Sequence, residues 1–297
     1  AVTSISFDIA VLEIFLPLVK GARIVLADRQ TASNGQALSD LLARHKATIM
    51  QATPTTWNLL LTAGWNHEKQ SLKKLCGGEA LSRELAAQLL KTKGELWNMY
   101  GPTEATVWCT AHKITQVDKA ISIGRPIANT GVYILDNMQK PVDKGQIGEL
   151  FISGEGLSRG YLNRPELTAQ RFIDIELSEE GKTRLYRTGD LASVDNADDI
   201  AYHGRIDNQV KVRGYRIELE EIEAALEKLD FVTQAVVGLN ERVGVDANQT
   251  TSLIGYLTLS NATSNVSRDS IREQLSATLP DYMIPDRFAA LDTFPLT

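Results

Sequence analysis

Residues 98–104 have the sequence NMYGPTE, in which a tyrosine, a Gly-Pro turn, a hydroxyl and a carboxylate follow a short β-rich run. Tyr100 has a ring that can stack on adenine, Thr103 can hydrogen-bond to phosphate, and Glu104 is a hard oxygen ligand suited to Mg²⁺. Taken alone, the segment is equally consistent with an ordinary Gly-Pro turn that carries a surface glutamate. Whether it forms a nucleotide site depends on the segments around it.

The part of the chain before this loop has the pattern of an α/β sheet covered by helices, because β-rich runs alternate with helical periods between residues 9 and 112. The runs 23–26 and 47–50 have the composition of buried strands, and a helix is predicted between them at residues 37–42. A further helix is predicted from Ser82, as its N-cap, to Gly94, as its C-cap.

The part after the loop changes character twice. Between residues 124 and 204, Gly and Pro punctuate short alternating segments such as 132–135 and 149–153, which predicts a β-rich subdomain. After Arg205 the pattern is that of a small α+β domain. Its predicted elements are a strand at 209–213, a helix at 218–229, strands at 232–237 and 253–259, and a helix at 268–278 that Pro280 stops. We place the domain boundary at Asp207.

The bulk composition argues against several classes of protein. The chain has 297 residues, of which 43% are hydrophobic and 23% charged, enough for two cores. A formal net charge of -6 without clustered Lys and Arg argues against a nucleic-acid partner. Cys76 and Cys109 form no CxxC pair, and apolar stretches such as residues 9–18 are too short for a membrane span. We expect no membrane association and a reducing, cytoplasmic setting.

Two further segments carry chemistry that suits a nucleotide. Residues 186–191, YRTGDL, place Asp190 just after a glycine, where it can accept the two ribose hydroxyls or, as most Gly-Asp pairs do, cap a turn. Residues 204–214, GRIDNQVKVRG, gather three cations at the predicted boundary. Long cations there can reach phosphate, although a solvent-exposed charged hairpin is the usual outcome for such a run.

The three segments, in this order and with GEGLSRGY at residues 154–161 between the first two, resemble the adenylate-forming enzymes over nearly the whole chain. Residues 208–218, NQVKVRGYRIE, and 279–285, LPDYMIP, are similar to the adenylation domains of nonribosomal peptide synthetases rather than to acyl-CoA ligases. The resemblance implies an incomplete large lobe, residues 1–206, with α/β sheet layers to residue 120 and a β-rich subdomain after it. A small, mobile and truncated α+β lobe follows at residues 207–297.

Such domains use ATP and Mg²⁺ to convert an amino acid into an aminoacyl adenylate, which is then passed to the phosphopantetheine thiol of a peptidyl carrier protein. By matching motif positions, Tyr100 would face adenine, Asp190 the ribose, Thr103 phosphate and Glu104 the metal. The other implied nucleotide positions are Gly78, Glu79, Ala80, Asn98, Gly101, Tyr202 and Arg205. Thr103, Glu104, Arg205 and the hinge residue Asp207 are implied to be catalytic.

The same resemblance implies an amino-acid pocket anchored by Asp8, whose carboxylate would pair with the α-ammonium group of the substrate. Its remaining lining positions would be Ile9, Leu12, Gln51, Leu75, Gly77, Met99, Val107 and Trp108. Because large uncharged side chains dominate this set, we take glycine as the expected substrate. The alternative for each apolar member is that it simply belongs to the core.

The chain also departs from the family pattern. The phosphate loop that ends in Pro-Lys-Gly is absent, and the lysine that contacts the reacting carboxylate is expected beyond Thr297. We therefore expect a fragment that has little or no adenylation activity by itself. An aryl or fatty acyl-CoA ligase, which would not need Asp8, and a noncatalytic nucleotide-binding scaffold module are the alternatives.

Overall fold

A computed structural model of the chain describes residues 1–65, 71–117, 121–178, 181–212, 214–243, 249–260 and 267–294. The structure divides into two compact units, Ala1–Ile206 and Asp207–Thr297. Arg213, one of the three cations in the predicted boundary segment, lies outside the described residues. Within those residues, no helix combines the length and the apolar character that crossing a bilayer would require.

The first half of unit 1 alternates helices with strands. The helices are α1 (Ala10–Val19), α2 (Arg29–Ala32), α3 (Gly35–His45), α4 (Pro54–Thr62) and α5 (Arg83–Leu90), and the strands are β1 (Ile49–Ala52), β2 (Lys73–Gly77), β3 (Leu96–Tyr100), β4 (Thr110–Ile114) and β5 (Ser122–Pro126). Local capping starts four of these helices, since the side chains of Asp28, Asn34, Thr53 and Ser82 each accept a backbone N–H of the first turn.

The second half of unit 1 is mostly β structure. It contains β6 (Thr130–Leu135), β7 (Gly148–Gly154), α6 (Pro165–Arg171), β8 (Phe172–Ser178), β9 (Gly181–Val194) and β10 (Ile200–Arg205). All ten strands of the unit join one sheet in the order β1-β2-β3-β4-β5-β10-β9-β7-β6, with β8 also paired to β9. The first three strands are parallel, and the remaining pairs are antiparallel. The β5–β10 pairing therefore makes the two halves of the unit one continuous sheet.

Apolar side chains from helices and strands close the core on the β1–β3 part of the sheet. Leu38, Trp57 and Leu60 are fully buried there, with Leu89 from α5 and Leu96 from β3. A second cluster, which includes Ile123, Leu150 and Ile200, buries the antiparallel part. The sheet is thus fixed on both sides of the β3–β4 region, where the nucleotide motif occurs.

Unit 2 is a small α+β domain. It contains β11 (Val210–Val212), β12 (Tyr215–Ile217), α7 (Leu219–Leu226), β13 (Val232–Val243), β14 (Gln249–Leu259), α8 (Arg268–Ser276), a 3₁₀ turn (Asp281–Met283) and β15 (Arg287–Leu291). Strands β13 and β14 are antiparallel, and β15 is parallel to β14. Ile222 and Leu226 of α7 are fully buried in the core of this unit, as the predicted helical face requires.

The predicted α/β class is confirmed, and most predicted elements are present with shifted ends. One strand prediction was wrong: residues 23–26 form no strand, and Leu26 is 71% exposed. The segment bonds to the first residue of the chain instead, because the Ala1 amine donates to the Val25 carbonyl and Ala27 N–H donates to the Ala1 carbonyl. The strand predicted at 47–50 lies two residues later, at β1.

The predicted end of the helix at Gly94 was also wrong, since α5 ends at Leu90 with Lys91 as its C-cap. Gly94 instead has φ +101 and packs against the backbone of Leu72, where a Cβ would lie 2.1 Å from the carbonyl oxygen. This glycine therefore serves a close backbone approach at the start of β3. Helices α7 and α8 likewise end before their predicted last residues.

Candidate functional site

The predicted ribose-binding aspartate lies at the centre of a hydrogen-bonded cluster built on three strands. Tyr100 ends β3, Asp190 lies in β9 and Arg205 ends β10. The Tyr100 hydroxyl donates to Oδ2 of Asp190, and Nη1 of Arg205 donates to Oδ1 at 2.7 Å. Asp190 and Arg205 are direct partners in the β9–β10 ladder, so the backbone register sets their pairing. The structure thus brings these three predicted residues together.

This cluster is largely withdrawn from solvent. The side chain of Asp190 is 8% exposed and that of Arg205 is 12% exposed. The Thr188 carbonyl accepts from Nη2 of Arg205 at 3.1 Å, and the Thr188 hydroxyl accepts the Asp190 N–H at 2.9 Å. Burial, followed by the nearby Asp190 carboxylate, raises the pKa of Tyr100 well above its usual value. The Tyr202 ring lies 6.5 Å from the Tyr100 ring, so a second aromatic borders the cluster.

Glu104 lies in a short 3₁₀ helix, Thr103–Ala105, directly after the Gly-Pro turn. Its side chain is buried, and its Oε1 accepts a hydrogen bond from the Tyr161 hydroxyl at 2.6 Å. Thr103, beside it, is exposed. Gly101 is needed for a close approach, because a Cβ there would lie 2.4 Å from the carbonyl oxygen of Val107. The predicted phosphate and metal residues therefore share one turn.

The residues predicted to border the adenine pocket, Gly78 to Ala80, lie in the turn after β2, and the predicted nucleotide residue Asn98 lies in β3. Gly78 has φ +86 and begins the turn that continues through Glu79 and the exposed Ala80 after β2. The Glu79 carboxylate accepts from the Thr55 hydroxyl at 2.9 Å, in the first turn of α4. Asn98 is buried, and its Nδ2 donates to the Ser122 carbonyl at 2.8 Å, which joins β3 to β5.

The predicted amino-acid pocket is organised around the buried amide of Gln51. Nε2 of Gln51 donates to the Ile9 carbonyl at 2.7 Å, and Oε1 accepts from the Trp108 indole N–H at 2.8 Å. The Trp108 ring lies so close to Gly77 that a Cβ there would be 2.4 Å from a ring carbon. Gly77 pairs with Met99 in the β2–β3 ladder. Five of the predicted substrate residues are therefore in one place.

Asp8 is half-buried two residues before α1 and close enough to Cys109 to contribute to the raised pKa of that thiol. Burial is the larger cause of that rise, which brings the pKa of Cys109 to about 12. Among the described residues, the Asp8 carboxylate accepts no hydrogen bond and forms no ion pair. Val107, half-buried at φ +73, lies in the turn that leads to Trp108.

Leu12 and Leu75 are placed differently from the rest of the predicted pocket. Together with Gln51 they line an apolar cavity of about 270 Å³ beside α1 and α3. Asp8, Gly77 and Trp108 do not line that cavity. The structure therefore does not unite all nine predicted substrate positions around one space.

Asp207 is the first residue of unit 2. Its Oδ1 accepts the Gln209 N–H at 3.4 Å, a local contact within that unit. Ile206, just before it, donates its N–H to the Gly189 carbonyl at 2.9 Å and so remains attached to β9.

A Mg²⁺ site can be assessed from the carboxylates present. Within the described ranges, no group of three or more His, Cys, Asp or Glu side chains could hold a metal ion by itself. Mg²⁺ at nucleotide sites is usually bound by one or two carboxylates together with substrate phosphates. Glu104, whose carboxylate accepts a hydrogen bond from Tyr161, fits such a role as a single protein ligand.

Comparison with known proteins identifies the family. The sequence profile of the family described as "AMP-binding enzyme" matches residues 1–162, more than half of the chain. The chain belongs to the AMP-binding enzyme family. This confirms the family predicted from the motifs.

This AMP-binding enzyme is similar to part of several much longer proteins. It is 43% identical over 299 residues to a dimodular nonribosomal peptide synthase of Bacillus subtilis. The alignment covers 100% of this chain and 12% of that relative. A solved four-domain nonribosomal peptide synthetase bound to AMP and glycine is 41% identical, with a TM-score of 0.66, over 99% of this chain and 22% of that one. A second solved synthetase, containing adenylation and PCP domains, has a TM-score of 0.85 at 28% identity, over 99% of this chain and 50% of that one.

Two site residues of this AMP-binding enzyme lie in the sequence motifs, but the motifs alone assign them no role. Tyr161 ends the segment 154–161 and contacts Glu104, and Thr188 lies in the segment 186–191 and contacts both Asp190 and Arg205. Their positions within the motifs were the only indication in the sequence that they belong to the site. Their partners, which define their roles, became visible only in the folded chain.

Proposed function

We propose that this chain is an amino-acid-activating adenylation module of nonribosomal peptide synthesis. In the proposed reaction, a carboxylate oxygen of the amino acid attacks the α-phosphorus of ATP, the bond to the bridging oxygen breaks, and pyrophosphate leaves. The aminoacyl group then passes to the phosphopantetheine thiol of a carrier protein, which releases AMP. The observation that supports this best is the Asp190 carboxylate held between Tyr100 and Arg205.

The geometry of Asp190 suits a ribose. Each of its two oxygens accepts one protein hydrogen bond, and an ionised carboxylate has about four acceptor positions in total. One lone pair on each oxygen can therefore accept one of the two ribose hydroxyls. The aromatic rings of Tyr100 and Tyr202 border the same carboxylate, which suits an adenine base attached to that ribose.

Glu104, Thr103 and Arg205 supply the groups for the phosphates. Mg²⁺ bound at Glu104 would neutralise phosphate charge and orient the leaving group. The Thr103 hydroxyl is exposed and can donate to a phosphate oxygen. Catalysis of this kind depends on positioning and on charge stabilisation rather than on a protein nucleophile. We further propose that Asp207, the first residue of unit 2, is a hinge.

The amino acid would be bound through Asp8, which is half-buried and whose carboxylate accepts no hydrogen bond from the described residues. Its carboxylate would pair with the α-ammonium group of the substrate. Glycine is the proposed substrate because the bulky Trp108 ring packs directly on Gly77 and leaves little room for a side chain. The synthetase of 41% identity that was solved with AMP and glycine supports this choice.

The carrier protein is proposed as the partner because one similar solved protein contains adenylation and PCP domains. A cytoplasmic location is proposed because Cys76 and Cys109 are both free thiols. An acyl-CoA ligase remains the second candidate, since the same architecture would accept a carboxylic acid that lacks an ammonium group.

Calorimetric titration of the chain with two inert adenylate analogues would test the proposal. Glycylsulfamoyl-adenosine carries the α-ammonium group, and acetylsulfamoyl-adenosine lacks it but is otherwise similar. We expect the glycyl analogue to bind about tenfold more tightly, because hydrogen bonds to charged groups contribute about 1.5 to 3 kcal/mol. Asp8→Asn should abolish this preference. Equal binding of both analogues to the wild type would favour the acyl-CoA ligase, and no binding of either, or of AMP, would refute a nucleotide site.

A further inference from the structure

The segment 156–161, here called the clasp loop, is hydrogen-bonded to the Glu104 turn at three of its residues, Gly156, Ser158 and Tyr161. The Thr106 hydroxyl donates to the Gly156 carbonyl at 2.6 Å, and the Ser158 N–H donates to the Glu104 carbonyl at 2.8 Å. Gly156 also passes close to the turn, because a Cβ there would lie 2.9 Å from the carbonyl oxygen of Ala105. Backbone contacts alone would therefore fix the position of the turn.

The clasp loop also contacts the side chain of the Glu104 turn. The Tyr161 hydroxyl donates to Oε1 of Glu104 at 2.6 Å, within the range of charge-assisted hydrogen bonds. This hydrogen bond ties the orientation of the Glu104 carboxylate to the clasp loop.

The ring that carries this hydroxyl is itself held in place. It packs edge-on against Phe172, with ring centroids 5.8 Å apart and planes at 65°. The Tyr161 N–H donates to the Thr168 hydroxyl at 2.9 Å, which attaches the loop to α6. Arg184 donates to the carbonyls of Ser158 and Arg159 at 2.9 and 3.0 Å. The position of the donor is therefore determined by groups outside the nucleotide cluster.

We propose that Tyr161 is a positioning residue that holds the Glu104 carboxylate in the orientation required to bind a divalent cation with a nucleoside triphosphate. This inference rests on the proposed function and adds to it a residue with no assigned role. Groups that hydrogen-bond to a metal ligand fix its orientation, and their loss commonly lowers metal affinity by about 10- to 100-fold. Tyr161 does not touch the substrate in this proposal and acts only through Glu104.

Tyr161→Phe is the decisive variant, because it keeps the ring packing on Phe172 and removes only the hydroxyl. Tyr133→Phe is the matched control, since Tyr133 packs in an apolar cluster of the same sheet. Calorimetry of the full chain would compare AMP, ATP with EDTA, and ATP with Mg²⁺. We expect Y161F to weaken the binding of ATP with Mg²⁺ about tenfold and to leave the affinity for AMP unchanged. Y133F should match the wild type with all three.

Hydrogen exchange without nucleotide gives a second measurement. The amides of Ala105 and Thr106 are hydrogen-bonded within the Glu104 turn, and because backbone contacts fix that turn, we expect them to exchange at similar rates in Y161F, Y133F and the wild type. Faster exchange in Y161F would overturn the inference, because Tyr161 would then hold the backbone of the turn rather than the carboxylate. Unchanged affinity of Y161F for ATP with Mg²⁺ would also overturn it. A wild-type chain that failed to bind AMP would instead count against the proposed function, and the inference that depends on it would fall as well.

Discussion

The indole N–H of Trp108 donates to the side-chain oxygen of Gln51 at 2.8 Å, although the two residues are 57 positions apart in the sequence. The bond joins β1 to the turn before β4 inside the proposed amino-acid pocket. Both side chains are buried, at 4% and 5% exposure, so water cannot replace either partner easily.

Gln51→Leu should therefore lower the free energy of unfolding by about 1 to 3 kcal/mol, because it leaves the buried Trp108 N–H without its acceptor. Urea unfolding of the variant would measure the change. Gln36→Leu, at an exposed position of α3, is the control and should stay within about 0.5 kcal/mol of the wild type. Equal stability of the two variants would contradict the importance of this bond.

Asp190→Asn should weaken AMP binding by more than about tenfold and also destabilise the chain, because it leaves the buried charge of Arg205 without its counter-ion. Calorimetry and thermal melting would report the two effects separately. Asp198→Asn is the control, because it removes an exposed carboxylate that pairs with Lys144. It should leave both the affinity for AMP and the melting temperature nearly unchanged. Wild-type affinity for AMP in D190N would exclude Asp190 from the nucleotide site.

Trp108→Leu should enlarge the proposed amino-acid pocket beside Gly77. We expect the affinity for valylsulfamoyl-adenosine relative to the glycyl analogue to rise by about tenfold, since a methylene or two in an apolar pocket changes discrimination by about that factor. Trp97→Leu, on the preceding strand and hydrogen-bonded to Glu95, is the matched control. If both variants kept the wild-type preference, Trp108 would not limit the size of the substrate.

Lys74 is fully buried in β2, and its ammonium group donates to the Thr92 hydroxyl and to the carbonyls of Lys93 and Gly94 at 3.0 to 3.2 Å. Burial lowers the pKa of Lys74 from 10.5 to about 8. The folded chain thus binds this proton less tightly than the unfolded chain, so the Lys74 contribution to the free energy of unfolding rises as pH increases from about 8 to 10.5.

Urea unfolding of the wild type and Lys74→Met between pH 7 and 10.5 would reveal that contribution. We expect the wild type to gain stability relative to K74M across this range. Lys73→Met, the same substitution at the exposed neighbouring position, should not reproduce the trend. A constant difference between the wild type and K74M would show that Lys74 does not titrate differently on folding.

Gly94→Ala should be strongly destabilising, by about 3 kcal/mol or more, for two reasons. The new Cβ would clash with the Leu72 backbone, and a residue other than glycine at φ +101 is conformationally strained. Gly145→Ala separates the two causes. Gly145 has φ +84 but nothing within 4 Å of its Cβ position, so only the conformational cost of about 1 kcal/mol applies. Thermal melting that ranked the two variants equally would exclude the backbone clash.

The sequence predicted those features that depend on near neighbours. Ser82 was recognised as an N-cap because its partner, the Leu85 N–H, is three residues away. Residues 23–26 were misassigned because an apolar β-rich run has the same composition whether it joins a sheet or, as here, bonds to Ala1. Gly94 was misassigned because its close neighbour Leu72 is distant in sequence.

The same distinction applies to the site. Tyr100 and Asp190 are 90 positions apart, and neither residue alone indicates the other. The resemblance to a known family identifies both residues as nucleotide-binding candidates. The hydrogen bond between them is found only in the folded chain. The role of Tyr161 could not be inferred in this way, because the motif gave the residue and no partner.

The pairing of β5 with β10 has a kinetic consequence. Gly124 and Ile200 must meet across a long intervening stretch before the Asp190–Arg205 pair, already formed within the β9–β10 ladder, can reach Tyr100 on β3. Contacts so distant along the polypeptide form slowly, since the entropy of loop closure opposes them until the ladder is complete. Affinity for AMP should thus appear among the last properties recovered during refolding of unit 1, after its helical signal has returned.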